Sequence, residues 1–240
     1  MLALIPAYEP DHRLVELLAD LRSAAPGAPL VVVDDGSGPA YRRVFAAARI
    51  LGCTVLTHPV NKGKGEALKT GFRYATSLHP GRAVVCADAD GQHRPDDILA
   101  VANMVERTGR TVLGVRRFTG RVPARSRIGN ALTSALFTSL TGRRVGDTQT
   151  GLRGYPPALL PWLLAVPGAR FEYEMRALLF AVRCGHPVEQ VPIETVYVRD
   201  NAGSHFRPLA DSMRVYGPLV RFAFTGGRQV VPRRPTARSI

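Results

Sequence analysis

The chain has 240 residues, 45% of them hydrophobic, enough apolar material for one large α/β domain, or two small ones, with a real core. Its formal net charge is +13, which directs attention to nucleic acid, an anionic membrane face or a phosphorylated substrate as partner. No apolar run is long enough to span a bilayer, and Cys53, Cys86 and Cys184 are scattered with neither metal-binding nor redox spacing.

Leu2-Ala3-Leu4-Ile5-Pro6-Ala7-Tyr8 reads as a short buried strand running into a loop. With a strand beginning at Leu2, no secretory leader is visible. Cys53 and Cys86 lie in apolar runs, as buried free thiols do, and the expected compartment is a reducing cytosol. Leu14, Leu17, Leu18 and Leu21 have helical spacing, stopped by Pro26-Gly27. Leu30-Val31-Val32-Val33 is a second buried strand ending at Asp34-Asp35-Gly36-Ser37. A helix follows over 41–51, a strand over 53–57, a helix over 65–77 and a strand over 83–87. Pro95 and the acids after it open a helix over 96–106, and 111–115 is a fifth strand. This alternation predicts an α/β fold with a mostly parallel sheet and helices on both faces. In such sheets ligands collect at the carboxyl ends of the strands. Here those ends carry acids, lysines and arginines.

The second half is less regular. Ile128, Leu132, Leu136 and Leu140 predict a helix ended by Gly142, and 171–183 another. Residues 188–198 read as a strand that Pro192 confines to an edge. Residues 207–224 form an amphipathic segment that either packs on the sheet or lies in a membrane interface. The Pro/Arg/Gly-rich tail from 225 to 240 is expected to be disordered.

Ala87-Asp88-Ala89-Asp90-Gly91-Gln92-His93 is the most informative stretch. Alternate side chains of an extended chain point the same way, so Asp88 and Asp90 can aim at one point beyond the strand. Two clustered carboxylates repel unless a positive charge sits between them, and a divalent cation with oxygen ligands answers that need. Gln92 can add a neutral oxygen. Mg²⁺ or Mn²⁺ held against a diphosphate is one reading of these residues; an acidic turn is the other.

The charge is unevenly placed. From Arg107 to Gly146 there are nine arginines and no acid, and the chain's three lysines all fall between Lys62 and Lys69. Arginine suits forked contacts with phosphate. Aromatics are not interleaved with the arginines and no nucleic-acid-binding motif occurs, so nucleic acid is not expected. Asn61-Lys62-Gly63-Lys64-Gly65 places glycines around two cations before a helix, where anions are favoured, although a solvated loop reads the same way.

IPAYEP, VVVDDGS, NKGKGEALKTGF, ADADGQH, SRIGN, GDTQTGLRGY, FEYEM and SHFRPLADSMRVY, in this order, resemble the family-2 glycosyltransferases of GT-A fold, and among them the polyprenyl-phosphate sugar synthases of the dolichol-phosphate mannosyltransferase type. The resemblance covers residues 2 to about 224. It implies one GT-A domain over 1–224, with a nucleotide-sugar-binding half at 1–115, an acceptor half at 116–206 and the amphipathic segment at 207–224. It places Pro6, Tyr8, Glu9, Asp34 and Asp35 around the base and ribose of a UDP- or GDP-sugar, with Lys62, Lys64, Asp88 and Ala89 beside the diphosphate. Asp88, Asp90 and Gln92 become the metal site. Arg116, Arg127 and Asn130 fall where similar enzymes grip an acceptor phosphate, with Asp88, Asp90, Arg116 and Arg127 as the catalytic set. Asp147, Gln149, Glu172 and Glu174 are candidates for a general base or for positioning the sugar. Arg199, His205 and Arg207 belong to a loop that could close over the diphosphate.

The implied reaction is metal-dependent, inverting transfer of a hexose to an undecaprenyl or dolichyl phosphate. The enzyme is expected to associate peripherally with the inner face of the cytoplasmic membrane, with or without a separate membrane protein to deliver the lipid. A transferase acting on a sugar or polysaccharide hydroxyl, which needs a base, and a non-catalytic nucleotide-sugar-binding module are the alternatives.

Overall fold

In the computed structural model, the described residues are 1–116, 124–194 and Gly217, with no side-chain description for 124–128. Seven strands form one sheet in the order β3-β2-β1-β4-β6-β5-β7. They are β1 (Leu2–Ala7), β2 (Leu30–Asp34), β3 (Thr54–Thr57), β4 (Val84–Cys86), β5 (Thr111–Arg116), β6 (Arg153–Tyr155) and β7 (Val188–Ile193). Every residue of β1 and β2 is buried, which is why both read as unbroken apolar runs rather than as alternating strands. Their side chains nonetheless sort by the period of two. Ala3, Ile5 and Ala7 pack into one core with Leu30 and Val32, while Leu2 and Leu4 pack into the opposite core with Val31 and Val33.

Helices α1 (His12–Ala24), α2 (Arg42–Ile50) and α4 (Pro95–Thr108) cover the first face, and α3 (Lys64–Leu78), α6 (Leu160–Ala165) and α7 (Glu172–Arg183) the second. A smaller cluster joins α5 (Ala124–Thr141) to β5 and α7 through Leu113, Phe137, Met175 and Leu179. Local chemistry sets the helix ends. The Asp11 side chain caps α1 by accepting from the Arg13 amide at 3.0 Å. Pro95, Asp96 and Asp97 open α4, and Gly109 closes it in the left-handed conformation at φ 62°.

Two elements escape the sequence pattern, β6 and α6, and β6 changes the topology. It pairs antiparallel with both β4 and β5, so the sheet is mixed, although the other strands all run one way. The predicted edge strand is present at the end of the sheet, but within the described residues it stops at Ile193. The helix expected from Ile128 begins at Ala124, and the one expected from Phe171 begins at Glu172.

The reversal of β6 has a functional consequence. The parallel strands put Ala7, Asp34, Cys86 and Arg116 at their carboxyl ends on one rim. A reversed strand starts where its neighbours end. The segment leading into β6, Gly146 to Leu152, is therefore delivered to that same rim.

Candidate active site

Five segments meet at the rim, those after β1, β2, β3 and β4 and the one before β6. In the first, the amide of Glu9, which stands at φ 50°, donates to the Ser37 hydroxyl at 2.8 Å. The Ser37 amide in turn donates to Asp34 Oδ1 at 2.9 Å, so the first two loops lock together. Pro6 pairs in register with Val33, Tyr8 stands exposed beyond it, and a hydrogen bond to Glu9 pushes the Tyr8 phenol up. Asp35 turns inward. Its carboxylate meets His58 Nδ1 at 2.7 Å and accepts from the Lys62 amide at 2.9 Å and the Gly63 amide at 2.7 Å. Asp35 thus shapes the lysine loop, while the Lys62 side chain faces outward.

Lys64 opens α3 and reaches across the rim. Its ammonium lies 2.7 Å from Asp88 Oδ1 and 2.8 Å from Glu174 Oε2. Burial works against that charge, but Asp88 and Glu174 overcome it and raise the Lys64 pKa. Burial pushes the Asp88 carboxyl up, and the Lys64 ammonium with His93 more than reverses this, holding it below the usual carboxylate range. His93 Nε2 stands 3.7 Å from Asp88 Oδ2, at ion-pair rather than hydrogen-bond distance. Asp90 behaves oppositely: burial and then the Asp88 charge raise its pKa, and its Oδ1 accepts from the Gln92 amide at 3.1 Å. Ala89, between the two acids, packs against the core of the first face.

The predicted acidic pair therefore exists, and Lys64 is the positive charge beside Asp88. Among the described residues no group of three or more His, Cys, Asp or Glu is arranged to hold a metal by itself. Two carboxylates suffice for Mg²⁺ or Mn²⁺ when substrate phosphate and water complete the shell. The close approach of Gly151 leaves room for this: a Cβ there would lie 2.0 Å from Asp88 Oδ2. Asp88 and Asp90 fit such an ion.

At the end of β5, Arg116 forms a two-point pair with Asp147, Nε to Oδ2 at 2.5 Å and Nη2 to Oδ1 at 3.1 Å. Asp147 is fully buried, and its Oδ1 also accepts from the Gln149 amide at 3.1 Å. The Gln149 side chain donates to Thr133 on α5 at 3.3 Å. Asn130 donates to the Gly146 carbonyl at 2.9 Å, so Arg116 and Asn130 converge on one loop. Glu172 accepts from the Ala169 and Arg170 amides at 3.0 and 3.2 Å; these bonds outweigh its burial and lower its pKa. The Arg127 side chain, Arg199, His205, Arg207, the segment 207–224 apart from Gly217, and the tail lie outside the described residues.

Arg153 was not anticipated. It is 2% exposed, on β6. Its guanidinium donates to the carbonyls of Thr150 at 2.8 Å, Thr148 at 3.0 Å and Glu174 at 2.8 Å, and lies 3.6 Å from Glu174 Oε1. Glu174 thus stands between Lys64 and Arg153, linking the lysine loop to the segment before β6. The only sequence signal was an arginine inside an otherwise apolar, glycine-containing run.

A family model for glycosyl transferase family 2 matches residues 3–155. A UDP-N-acetylglucosamine–dolichyl-phosphate N-acetylglucosaminyltransferase of Methanococcus voltae is 28% identical over 214 residues, covering 81% of this chain and 84% of its own. An undecaprenyl-phosphate mannosyltransferase of Micrococcus luteus is 29% identical over 205 residues, covering 82% and 83%. The glucosyl-3-phosphoglycerate synthase of Mycobacterium tuberculosis, solved with Mn²⁺, UDP-glucose and phosphoglyceric acid, superposes with a TM-score of 0.67 at 22% identity, over 91% of this chain and 78% of that one. That likeness establishes the GT-A fold, to which the mixed sheet with helices on both faces conforms. With the family model spanning more than half its length, the chain belongs to glycosyl transferase family 2 and is a glycosyltransferase.

Proposed function

We propose that this enzyme moves a hexose from a UDP- or GDP-sugar to the phosphate of a polyprenyl lipid, with inversion, at the cytoplasmic face of the membrane. The observation that carries the choice of acceptor is that each carboxylate considered as a base is ion-paired or holds backbone amides, even though Glu174 Oε1 accepts no hydrogen bond. Asp147 has both oxygens on Arg116, Glu172 holds two backbone amides, and Glu174 is shared between Lys64 and Arg153. A sugar hydroxyl needs a base to take its proton, whereas a phosphate monoester is already anionic at neutral pH and needs a cation to guide it. The relatives named for dolichyl-phosphate and undecaprenyl-phosphate acceptors support the same reading.

In this reading residues 1–224 act as one catalytic domain. Pro6, Tyr8, Glu9 and Asp34 line the base and ribose, and Asp35 fixes the lysine loop beside the diphosphate. Asp88 and Asp90, with Gln92 alongside, would hold Mg²⁺ or Mn²⁺, which when bound supplies charge neutralisation for the departing nucleoside diphosphate. Arg116, braced by Asp147, guides the acceptor phosphate together with Asn130 and Arg127. Asp147 and Glu174 orient their cationic neighbours. Surface arginines supply peripheral membrane attraction, at about 1 kcal/mol each near anionic lipid.

The test is a transfer assay with labelled nucleotide sugars, Mn²⁺ and either a polyprenyl phosphate or the matching polyprenol in detergent. Label should enter the organic phase with the phosphate alone. Equal labelling of the polyprenol, or labelling of a sugar hydroxyl acceptor in preference to the lipid, would overturn the assignment.

A further inference from the structure

We propose that Lys64 is a resident cation of the donor site, exchanging places with the divalent metal on Asp88, so that metal and nucleotide each strengthen the other's binding. The inference rests on the reading of Asp88 and Asp90 as the metal pair.

Lys64 is held from two sides. Asp88 Oδ1, just beyond β4, and Glu174 Oε2, in the first turn of α7, lie 2.7 and 2.8 Å from the same ammonium. The lysine side chain is only 15% exposed, and its ammonium stands 5.9 Å from the centroid of the Phe171 ring. Glu66 donates its amide to the Ala169 carbonyl at 3.0 Å, and Arg170 Nη1 donates to Asn61 Oδ1 at 3.1 Å, so the lysine loop and the start of α7 are clasped as one unit. Lys64 is placed by this clasp rather than by chance contact of a surface side chain.

The position has a cost for any metal arriving alone. A second cation at Asp88 meets the Lys64 ammonium at close range, in a partly buried setting where like charges repel more strongly than in water. It must displace Lys64 without offering it a new partner. A nucleoside diphosphate supplies that partner. Its oxygens take the ammonium from Asp88 as Asp88 is freed for the metal, and Glu174 keeps Lys64 tethered at the rim through the exchange. A lysine suits this, because its compact charge sits on a flexible four-carbon stem. Metal and nucleotide then favour each other's binding, and such coupling is reciprocal.

The test is titration of the full-length protein, its Lys64→Met and Lys64→Arg variants and the double variant Lys64→Met/Glu174→Gln. The double variant avoids leaving Glu174 facing a lost partner. Each is titrated with MnCl₂ alone, with UDP or GDP alone, and with both. Lys64→Met and the double variant should bind Mn²⁺ alone about tenfold tighter than the native protein, with nucleotide binding weakened and the mutual enhancement reduced. Lys64→Arg should stay close to native for Mn²⁺ alone. A second readout uses the native protein, which has only three lysines, so the side-chain amines can be followed by NMR after selective labelling. The Lys64 signal should move with Mg²⁺ and nucleotide together and stay in place with Mg²⁺ alone. Unchanged Mn²⁺ affinity in both Lys64→Met proteins, or a full Lys64 shift with Mg²⁺ alone, would overturn the exchange while leaving the donor site intact. Failure of the native protein to bind nucleotide with Mn²⁺ would overturn the donor site itself.

Discussion

Arg153→Met removes a guanidinium that is 2% exposed and leaves a side chain of similar length in its place. Three backbone carbonyls lose their donor: Thr150 and Glu174, each at 2.8 Å, and Thr148 at 3.0 Å. The Glu174 carboxylate, 3.6 Å from Nε at Oε1, loses one of its two cations. A hydrogen bond to a charged group contributes about 1.5–3 kcal/mol. These do not add, because removing the arginine also removes the cost of burying it. Breaking a buried pair from one side costs about 3–5 kcal/mol, and we expect that range here. For a domain of this size each kcal/mol moves the melting temperature by about 2–4 °C, giving a fall of about 6–20 °C. Urea unfolding at fixed pH measures the change directly, provided the slope with denaturant is unaltered. Arg110→Met is the control, since Arg110 pairs with Glu189 at 2.6 Å with half its own side chain exposed, and should cost under about 1 kcal/mol. Equal effects from the two substitutions would refute the view that Arg153 is the buried tie between the segment before β6 and α7.

Two further outcomes follow from the acidic pair. Asp90 has a folded-state pKa raised by burial and by Asp88, so its charge works against the fold as pH rises above the ordinary carboxylate range. Asp90→Asn should raise the melting temperature of metal-free protein at neutral pH, with the gain vanishing as the pH falls toward about 4; a neutral-pH loss in melting scans would contradict this. Gly151→Ala places a Cβ 2.0 Å from Asp88 Oδ2 and must push that carboxylate aside. It should cost about 1–3 kcal/mol in urea unfolding and abolish Mn²⁺-dependent nucleotide binding in calorimetry, and native-like binding would count against Asp88 as a ligand.

Much of the first half of the chain is readable because its signals are local. The runs Leu2–Ile5 and Leu30–Val33 are continuous apolar segments followed by turn residues, and they became fully buried parallel strands. Pro95 and the acids after it marked the start of α4. The mixed order of the sheet was not readable. β6 is three residues long and holds Arg153 and Gly154, and neither its length nor its charge marks it as a buried strand between two others. α6 has six residues and carries a proline within its first turn, too short for helical periodicity to register. In the site, DADGQH and NKGKG were each conspicuous as segments, but the contact of Lys64 with both Asp88 and Glu174 joins three distant parts of the chain. Nothing in the spacing joins Arg116, a candidate for phosphate, to Asp147, a candidate base or sugar-positioning group; their pairing follows from β6 bringing its preceding loop to the rim. Spacing reports which residues share an element, and it carries no information on which distant charges neutralise each other.

The most direct measurement is the melting temperature of the native protein and Asp90→Ala with UDP or GDP, with Mn²⁺ or with chelator. A ligand that binds only the folded state raises stability, so the native protein should shift upward with one of the nucleotides in Mn²⁺, not shift in chelator, and lose the effect in Asp90→Ala. An equal shift in chelator, or an undiminished one in Asp90→Ala, would contradict a donor diphosphate held through a metal on this acidic pair.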